Sequence, residues 1–119
     1  MSVIAPYDAL LLDLDGTVWA GGSAIPHAVE NINACAASQC AVAYVTNNAS
    51  KGPDEVAGKL QAIGLEATPA DVLTSAQAAV VLAQRHAQPG ANVLVVGADS
   101  FKELVRDAGF VVVDSADDN

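Results

Sequence analysis

The stretch Leu12-Asp13-Leu14-Asp15-Gly16-Thr17 decides how the rest of the chain is read. It closes a short apolar run over residues 7–14 that has the character of a buried strand and ends in acids, a glycine and a threonine. In an extended chain residues i and i+2 point the same way, so Asp13 and Asp15 are expected to project together from the strand end. Two carboxylates at close range repel, so either one of them keeps its proton or a cation neutralises the pair. A hard, oxygen-seeking Mg²⁺ is the natural neutraliser. The pair can also divide labour, one acid staying ionised to attack while the other carries a proton. Gly16 lets the chain turn at this point with N–H groups open to an anion. A bare Asp-x-Asp is more often two solvated acids in a loop. The apolar run before this pair and the Gly-Thr after it turn the reading toward chemistry.

Moving outward, residues 18–25 contain Trp19 and the pair Gly21-Gly22 and suit a short hairpin or flap. Pro26 sits where a first helical residue belongs, and the spacing of Val29, Ile32 and Cys35 predicts a helix over residues 27–38. Residues 41–45 form a second apolar strand, closed by Thr46-Asn47-Asn48. Pro53 opens a helix with Asp54 and Glu55 near its positive end, an apolar stripe of Val56, Leu60 and Ile63, and Gly64 just past its end. Thr68-Pro69 begins a turn around Asp71. Thr74-x-x-Gln77 has capping-box spacing and predicts a helix to about residue 87. Residues 92–96 and 110–113 read as a third and a fourth strand. Between them Ser100-x-x-Glu103 gives a second capping box, heading a helix that stops at Gly109.

Strands that alternate with helices, and are apolar throughout, indicate an α/β fold with a Rossmann-like parallel sheet covered on both faces. Ligands of such sheets gather at the carboxyl ends of the strands, here after Leu14, Val45 and Val96. Thr46, Asn47 and Asn48 leave the second strand at the same edge as the acids, where a hydroxyl and an amide can donate to a phosphoryl oxygen. The other candidates are weaker. Val96-Gly97-Ala98 is a strand-to-helix turn with a single glycine, far short of a dinucleotide fingerprint. His27 and His86 are helix residues without partners in register, and Lys51 reads as a solvated lysine.

The 119 residues suit one domain, or one domain with part of another. At 52% apolar and 16% charged, with mean hydropathy +0.34, the chain is too apolar for disorder. Its net charge, 5 − 14 = −9, argues against a nucleic-acid partner and against an anionic membrane surface. A phosphate site on such a chain has to be made positive locally, by backbone N–H groups or a metal. Aromatic residues, at 4%, are too few for stacking platforms. Cys35 and Cys40 have neither knuckle nor redox spacing and read as two reduced, space-filling thiols. No targeting segment or membrane span is visible, so a cytoplasmic protein is expected.

These residues resemble the haloacid dehalogenase superfamily of phosphohydrolases. Asp13-Leu14-Asp15-Gly16-Thr17 is similar to its first motif and Val45-Thr46-Asn47 to its second. Gly16-Thr17-Val18-Trp19, Ile25-Pro26, Thr46-Asn47-Asn48-Ala49-Ser50 and Leu73-Thr74-Ser75-Ala76 further resemble the NagD-type, para-nitrophenylphosphatase-like branch (subfamily IIA). The resemblance runs over essentially the whole chain. It implies Asp13 as the nucleophile forming an aspartyl-phosphate, and Asp15 as the acid that protonates the leaving oxygen and later deprotonates water. It implies Mg²⁺ held by the Asp13 carboxylate and the Asp15 backbone carbonyl. Gly16, Thr46 and Asn47 would hold the phosphoryl group, with Asn48 on the substrate side. The implied substrates are small phosphorylated metabolites of the glycerol phosphate, pyridoxal phosphate, nucleotide or aryl phosphate type, and the branch leaves room for a homodimer through its cap.

Members of this branch are about twice as long or more, and they carry a third-motif lysine and a fourth-motif acidic pair. Nothing after Asn48 supplies either. Asp114, Asp117 and Asp118 lack the Gly-Asp strand context. The resemblance therefore implies an N-terminal portion: residues 1–74 as the first half of the catalytic core, with only the strands ending at Leu14 and Val45, and residues 75–119 as the opening of an inserted α/β cap. The alternative is a truncated, non-catalytic phosphate-binding fragment that needs the rest of the enzyme or a partner chain. A receiver-like phosphoacceptor is more distant, because the second strand is followed by Thr46 rather than an aspartate.

Overall fold

The computed structural model describes residues 7–48 and 51–114. Ala49 and Ser50 of the second-motif resemblance, and the terminal acids Asp117 and Asp118, lie outside the described residues. The described chain falls into two units, one running to Thr46 and resuming over Pro53–Leu73, the other made of residues 47–52 together with the chain from Thr74 onward.

In the first unit the apolar run becomes β1 (Ala9–Asp13), which pairs in parallel with β4 (Ala41–Thr46), Leu11 opposite Ala43 and Asp13 opposite Val45. Between them come the hairpin strands β2 (Trp19–Ala20) and β3 (Ser23–Ala24), antiparallel across Gly21-Gly22, and helix α1 (Ala28–Ala37). Pro26 does not open α1. His27 takes a left-handed conformation at φ 70° as the N-cap, so the helix begins two residues after the proline.

Helix α2 (Pro53–Ala62) starts at its proline as the pattern predicts. It ends in a Schellman arrangement: Gly64 at φ 103° donates to the Gln61 carbonyl, and Leu65 N–H to the Leu60 carbonyl. A 3₁₀ turn (Pro69–Asp71) then leads into β5 (Val72–Thr74). This short strand joins β4 and makes the sheet three-stranded in the order β1-β4-β5, which corrects the expectation of only two core strands in this segment.

Neighbouring residues along β1 and β4 face opposite ways, and only one face is covered. Leu12, Val42 and Tyr44 pack into a core with Ile32 of α1, Val56, Ala57 and Leu60 of α2, and Leu14, Val18 and Trp19. The opposite face carries Leu11 at 72% exposure and Val45 at 39%, and Leu73 of β5 is 47% exposed. Within the described residues both helices of this unit contribute to a single core on one face, and the covering of both faces expected of the fold is seen on that face alone.

In the second unit β6 (Asn92–Leu94) pairs in parallel with β7 (Val111–Val113), Val93 opposite Val112. Helix α3 (Ser75–His86) begins with the predicted capping box: Thr74 Oγ1 accepts from Gln77 N–H at 3.1 Å, and Gln77 Oε1 accepts from Thr74 N–H at 2.8 Å. Helix α4 (Asp99–Asp107) does not use the second predicted box. It starts at Asp99, so Ser100 falls inside the first turn and Ala98 occupies the cap without a side-chain bond. Val95, Val105 and Phe110 form the core of this unit, with Val80, Ala83 and Phe101 against it. The single glycine of the strand-to-helix turn serves packing, since a Cβ on Gly97 would lie 2.9 Å from the Phe101 ring.

Both cysteines are buried free thiols. A hydrogen bond with Cys35, reinforced by burial, pushes the Cys40 thiol above its ordinary value. Among the described residues no helix is long and apolar enough to cross a membrane.

Candidate active site

β1 stops at Asp13, but the alternation it set up persists for two more residues. Asp13 is exposed, Leu14 is 1% exposed and Asp15 is exposed again. Burying Leu14 in the core anchors the chain between the two acids, so both carboxylates reach solvent from the end of the strand. The Asp13 carboxylate is fixed by the N–H of its own neighbour, Leu14, which donates to Asp13 Oδ1 at 2.9 Å.

The chain then reverses tightly. The Leu14 carbonyl accepts from the N–H groups of Thr17 at 3.1 Å, Val18 at 2.9 Å and Trp19 at 3.2 Å. Gly16 takes φ 83°, a left-handed conformation that glycine adopts without steric cost, and its N–H donates to the Trp19 carbonyl at 2.7 Å. This corrects the reading of Gly16 as an amide open to an anion: Gly16 makes the turn possible, but its N–H is spent inside it. The hairpin that follows is tied back to the turn by Ile25 N–H, which donates to the Val18 carbonyl at 2.9 Å.

The same reversal brings Trp19 against Asp15. The buried indole donates from Nε1 to Asp15 Oδ1 at 3.0 Å, and the Lys59 ammonium sits 4.5 Å from the centre of the Trp19 ring. The sequence placed Trp19 in a flap and in the stretch that resembles the NagD-type branch, without linking it to Asp15. The four-residue separation of Asp15 and Trp19 around a glycine is the sole signal that joins them.

Thr46 ends β4 one residue beyond the partner of Asp13 and is 5% exposed. Asn47 and Asn48 are exposed and belong to the second unit, where the Ser75 hydroxyl donates to the Asn47 carbonyl at 3.1 Å. The first unit thus gathers Asp13, Asp15, Gly16 and Thr46 at the carboxyl ends of β1 and β4. Among the described residues no group of three or more His, Cys, Asp or Glu side chains is placed to share a metal ion. The two aspartates nevertheless form an all-oxygen donor pair of the kind a hard divalent ion takes, and each carboxylate keeps a second oxygen beyond the one its donor holds.

Comparison with known proteins gives this geometry a context. Residues 10–111 match the model of the haloacid dehalogenase-like hydrolases. The chain is 41% identical over 108 residues to a D-glycerol 3-phosphate phosphatase of Mycobacterium tuberculosis, covering 91% of the chain and 30% of that protein. It is 36% identical over 107 residues to an acid sugar phosphatase of Staphylococcus epidermidis, covering 89% and 40%. Its fold superposes on the crystal structure of a glycerol phosphate phosphatase from Mycobacterium tuberculosis in complex with magnesium with a TM-score of 0.89 at 40% identity, covering all of this chain and 36% of the other. The chain therefore spans about a third of the length of these relatives. It belongs to the haloacid dehalogenase-like hydrolases, and its fold is that of the N-terminal portion of such phosphatases.

Proposed function

We propose that this chain is the nucleophile-bearing part of a phosphomonoester hydrolase that acts on small phosphorylated metabolites and depends on a divalent cation. The observation that carries the proposal is the pair Asp13 and Asp15, exposed on either side of the buried Leu14 at the carboxyl end of a parallel strand, with one oxygen of each already fixed by a donor. In this reading the free oxygen of Asp13 attacks phosphorus and the P–O bond to the leaving alcohol breaks. Asp15 gives its carboxyl proton to the departing oxygen. Asp15 then takes a proton from the water that attacks the aspartyl-phosphate, which releases inorganic phosphate and returns Asp13 as a carboxylate. Thr46 Oγ1, with Asn47 and Asn48 next in sequence, is the proposed holder of the phosphoryl oxygens.

Charge supports a cation requirement. The first unit carries eight acids (Asp8, Asp13, Asp15, Glu30, Asp54, Glu55, Glu66, Asp71) against one Lys or Arg, Lys59, which lies over the Trp19 ring. A phosphate dianion beside two carboxylates there needs a divalent ion, for which the Asp13 carboxylate and the Asp15 backbone carbonyl are the proposed ligands. When bound, the ion offsets the charge that accumulates on the phosphoryl oxygens. Mg²⁺ is the proposed ion, supported by its presence in the related glycerol phosphate phosphatase structure. The names of the two sequence relatives favour glycerol phosphate or sugar phosphates as the substrate class. Residues 75–119 are proposed as the start of the cap that selects among them.

The test is Asp13→Asn in the protein that carries this chain, assayed on glycerol 3-phosphate and an aryl phosphate. Turnover falls at least about a thousandfold, about 4 kcal/mol of barrier, with the fold unchanged. Near-normal rates in the variant sink the assignment. A second reading, that the chain alone binds phosphate without turning over, is favoured by its spanning about a third of the length of the related phosphatases. Residues 1–119 by themselves are accordingly expected to be inactive.

A further inference from the structure

We infer that Trp19 is a positioning residue for Asp15, its indole N–H holding the carboxylate in one orientation at the strand end; this rests on the phosphatase reading and deepens it. An indole Nε1–H donates and cannot accept. Its 3.0 Å bond to Asp15 Oδ1 therefore fixes one oxygen of the carboxylate and sets the direction in which the other, Oδ2, points.

Three features of the surroundings hold the donor in place. Trp19 is 6% exposed and packed in the core of the first unit, so the ring has little freedom to turn. Lys59 lies over the ring face, and a cation there draws π density inward and leaves the N–H a stronger donor. Finally, the backbone at both ends of the contact is locked, Gly16 N–H to the Trp19 carbonyl and Trp19 N–H to the Leu14 carbonyl. The side-chain bond closes a ring of fixed parts, the arrangement needed to hold a catalytic carboxyl within a narrow range of orientations.

In an ¹H–¹⁵N spectrum of the complete enzyme labelled only at tryptophan, the Trp19 indole N–H signal is the one that Trp19→Phe removes. It is expected at low field with slowed exchange, and Asp15→Ala moves it upfield and speeds exchange about tenfold or more. An indole signal indifferent to Asp15→Ala overturns the inference. In the complete enzyme, Trp19→Phe keeps a ring in the core but removes the N–H. It is expected to lower kcat about tenfold while KM changes less than twofold, whereas general loosening of the site raises KM as well. Unchanged kcat, or a loss confined to KM, overturns the positioning role while Asp13→Asn remains dead and the phosphatase reading stands. Normal hydrolysis by Asp13→Asn brings down both.

Discussion

Gly16→Ala separates backbone strain from crowding at the turn that carries the acids. Gly16 has φ 83°, and a Cβ built there meets no heavy atom within 4 Å. The only native-state cost is therefore the left-handed conformation, about 1–2 kcal/mol for a residue with a Cβ. Opposing it is the smaller conformational freedom of alanine in the unfolded chain, about 0.4–1 kcal/mol. Gly22, in the turn between β2 and β3, supplies the control: its Cβ position is equally open, but its φ is not positive. Gly22→Ala keeps the gain without the cost. The difference between the two variants isolates the strain at about 1–2 kcal/mol, which separates their urea midpoints by roughly 0.5–1 M. Gly58→Ala, in the interior of α2 with open space around it, gives a third point and stabilises by about 0.5–1 kcal/mol. The assay is urea unfolding followed by far-UV circular dichroism, all variants in one background. Coincident midpoints for Gly16→Ala and Gly22→Ala refute the reasoning. So does complete loss of folding in Gly16→Ala, which would demand a clash that the space around the glycine does not contain.

Phosphatase activity of the protein that carries this chain is lost on exhaustive treatment with EDTA and restored by Mg²⁺; full activity after chelation contradicts the charge argument at Asp13 and Asp15. Burial, and then the negative charge of Asp71, hold the Tyr44 hydroxyl above its ordinary value. The folded chain therefore keeps a proton that the unfolded chain releases. This contribution to stability is complete below about pH 10 and is lost as pH rises through the elevated folded value. Urea midpoints fall from pH 9 to pH 11 more steeply in wild type than in Tyr44→Phe, and parallel falls contradict the assignment. Residues 1–119 alone expose Leu11, Val45 and Leu73 and are expected to self-associate and bind a hydrophobic dye. Leu11→Gln removes a side chain whose burial contributes about 2 kcal/mol and weakens association about tenfold or more by sedimentation; a monomer at all micromolar concentrations rules this out.

Much of the fold was legible because its elements announce themselves within a few residues. Pro53 and Gly64 bracket α2 by removing a donor at one end and permitting a left-handed residue at the other, both properties of a single residue. Thr74 and Gln77 satisfy each other's backbone groups and so mark the start of α3 wherever they occur at that spacing. The misses depend on partners distant in sequence. β5 is three residues long, too short for any period to show, and becomes a strand only because β4 offers it an unpaired edge. Ser100 and Glu103 have the same spacing as the working box, yet the helix starts at Asp99 and leaves no cap position for the serine. Apolar character in Leu11, Val45 and Leu73 shows that these residues suit burial. It does not say which surface buries them, and within the described residues they stay exposed.

At the candidate site the sequence located the acids and misjudged the amides. The two-residue period places Asp13 and Asp15 on the same side of the chain, and burial of Leu14 between them keeps that relation after the strand has ended. What the turn does with its N–H groups is a matter of three-dimensional closure. Thr17, Val18 and Trp19 all donate to one carbonyl, and Gly16 donates to the carbonyl of Trp19. A tight reversal spends its donors on itself, and none of these four is left to face an anion. The positive potential that a phosphate requires beside two carboxylates therefore cannot come from those amides. It cannot come from Lys59 either, whose ammonium lies over the Trp19 ring. Within the first unit the proposed divalent ion is the source that remains, so chelation, rather than mutation of a basic residue there, is the perturbation to which the proposed site should be most sensitive.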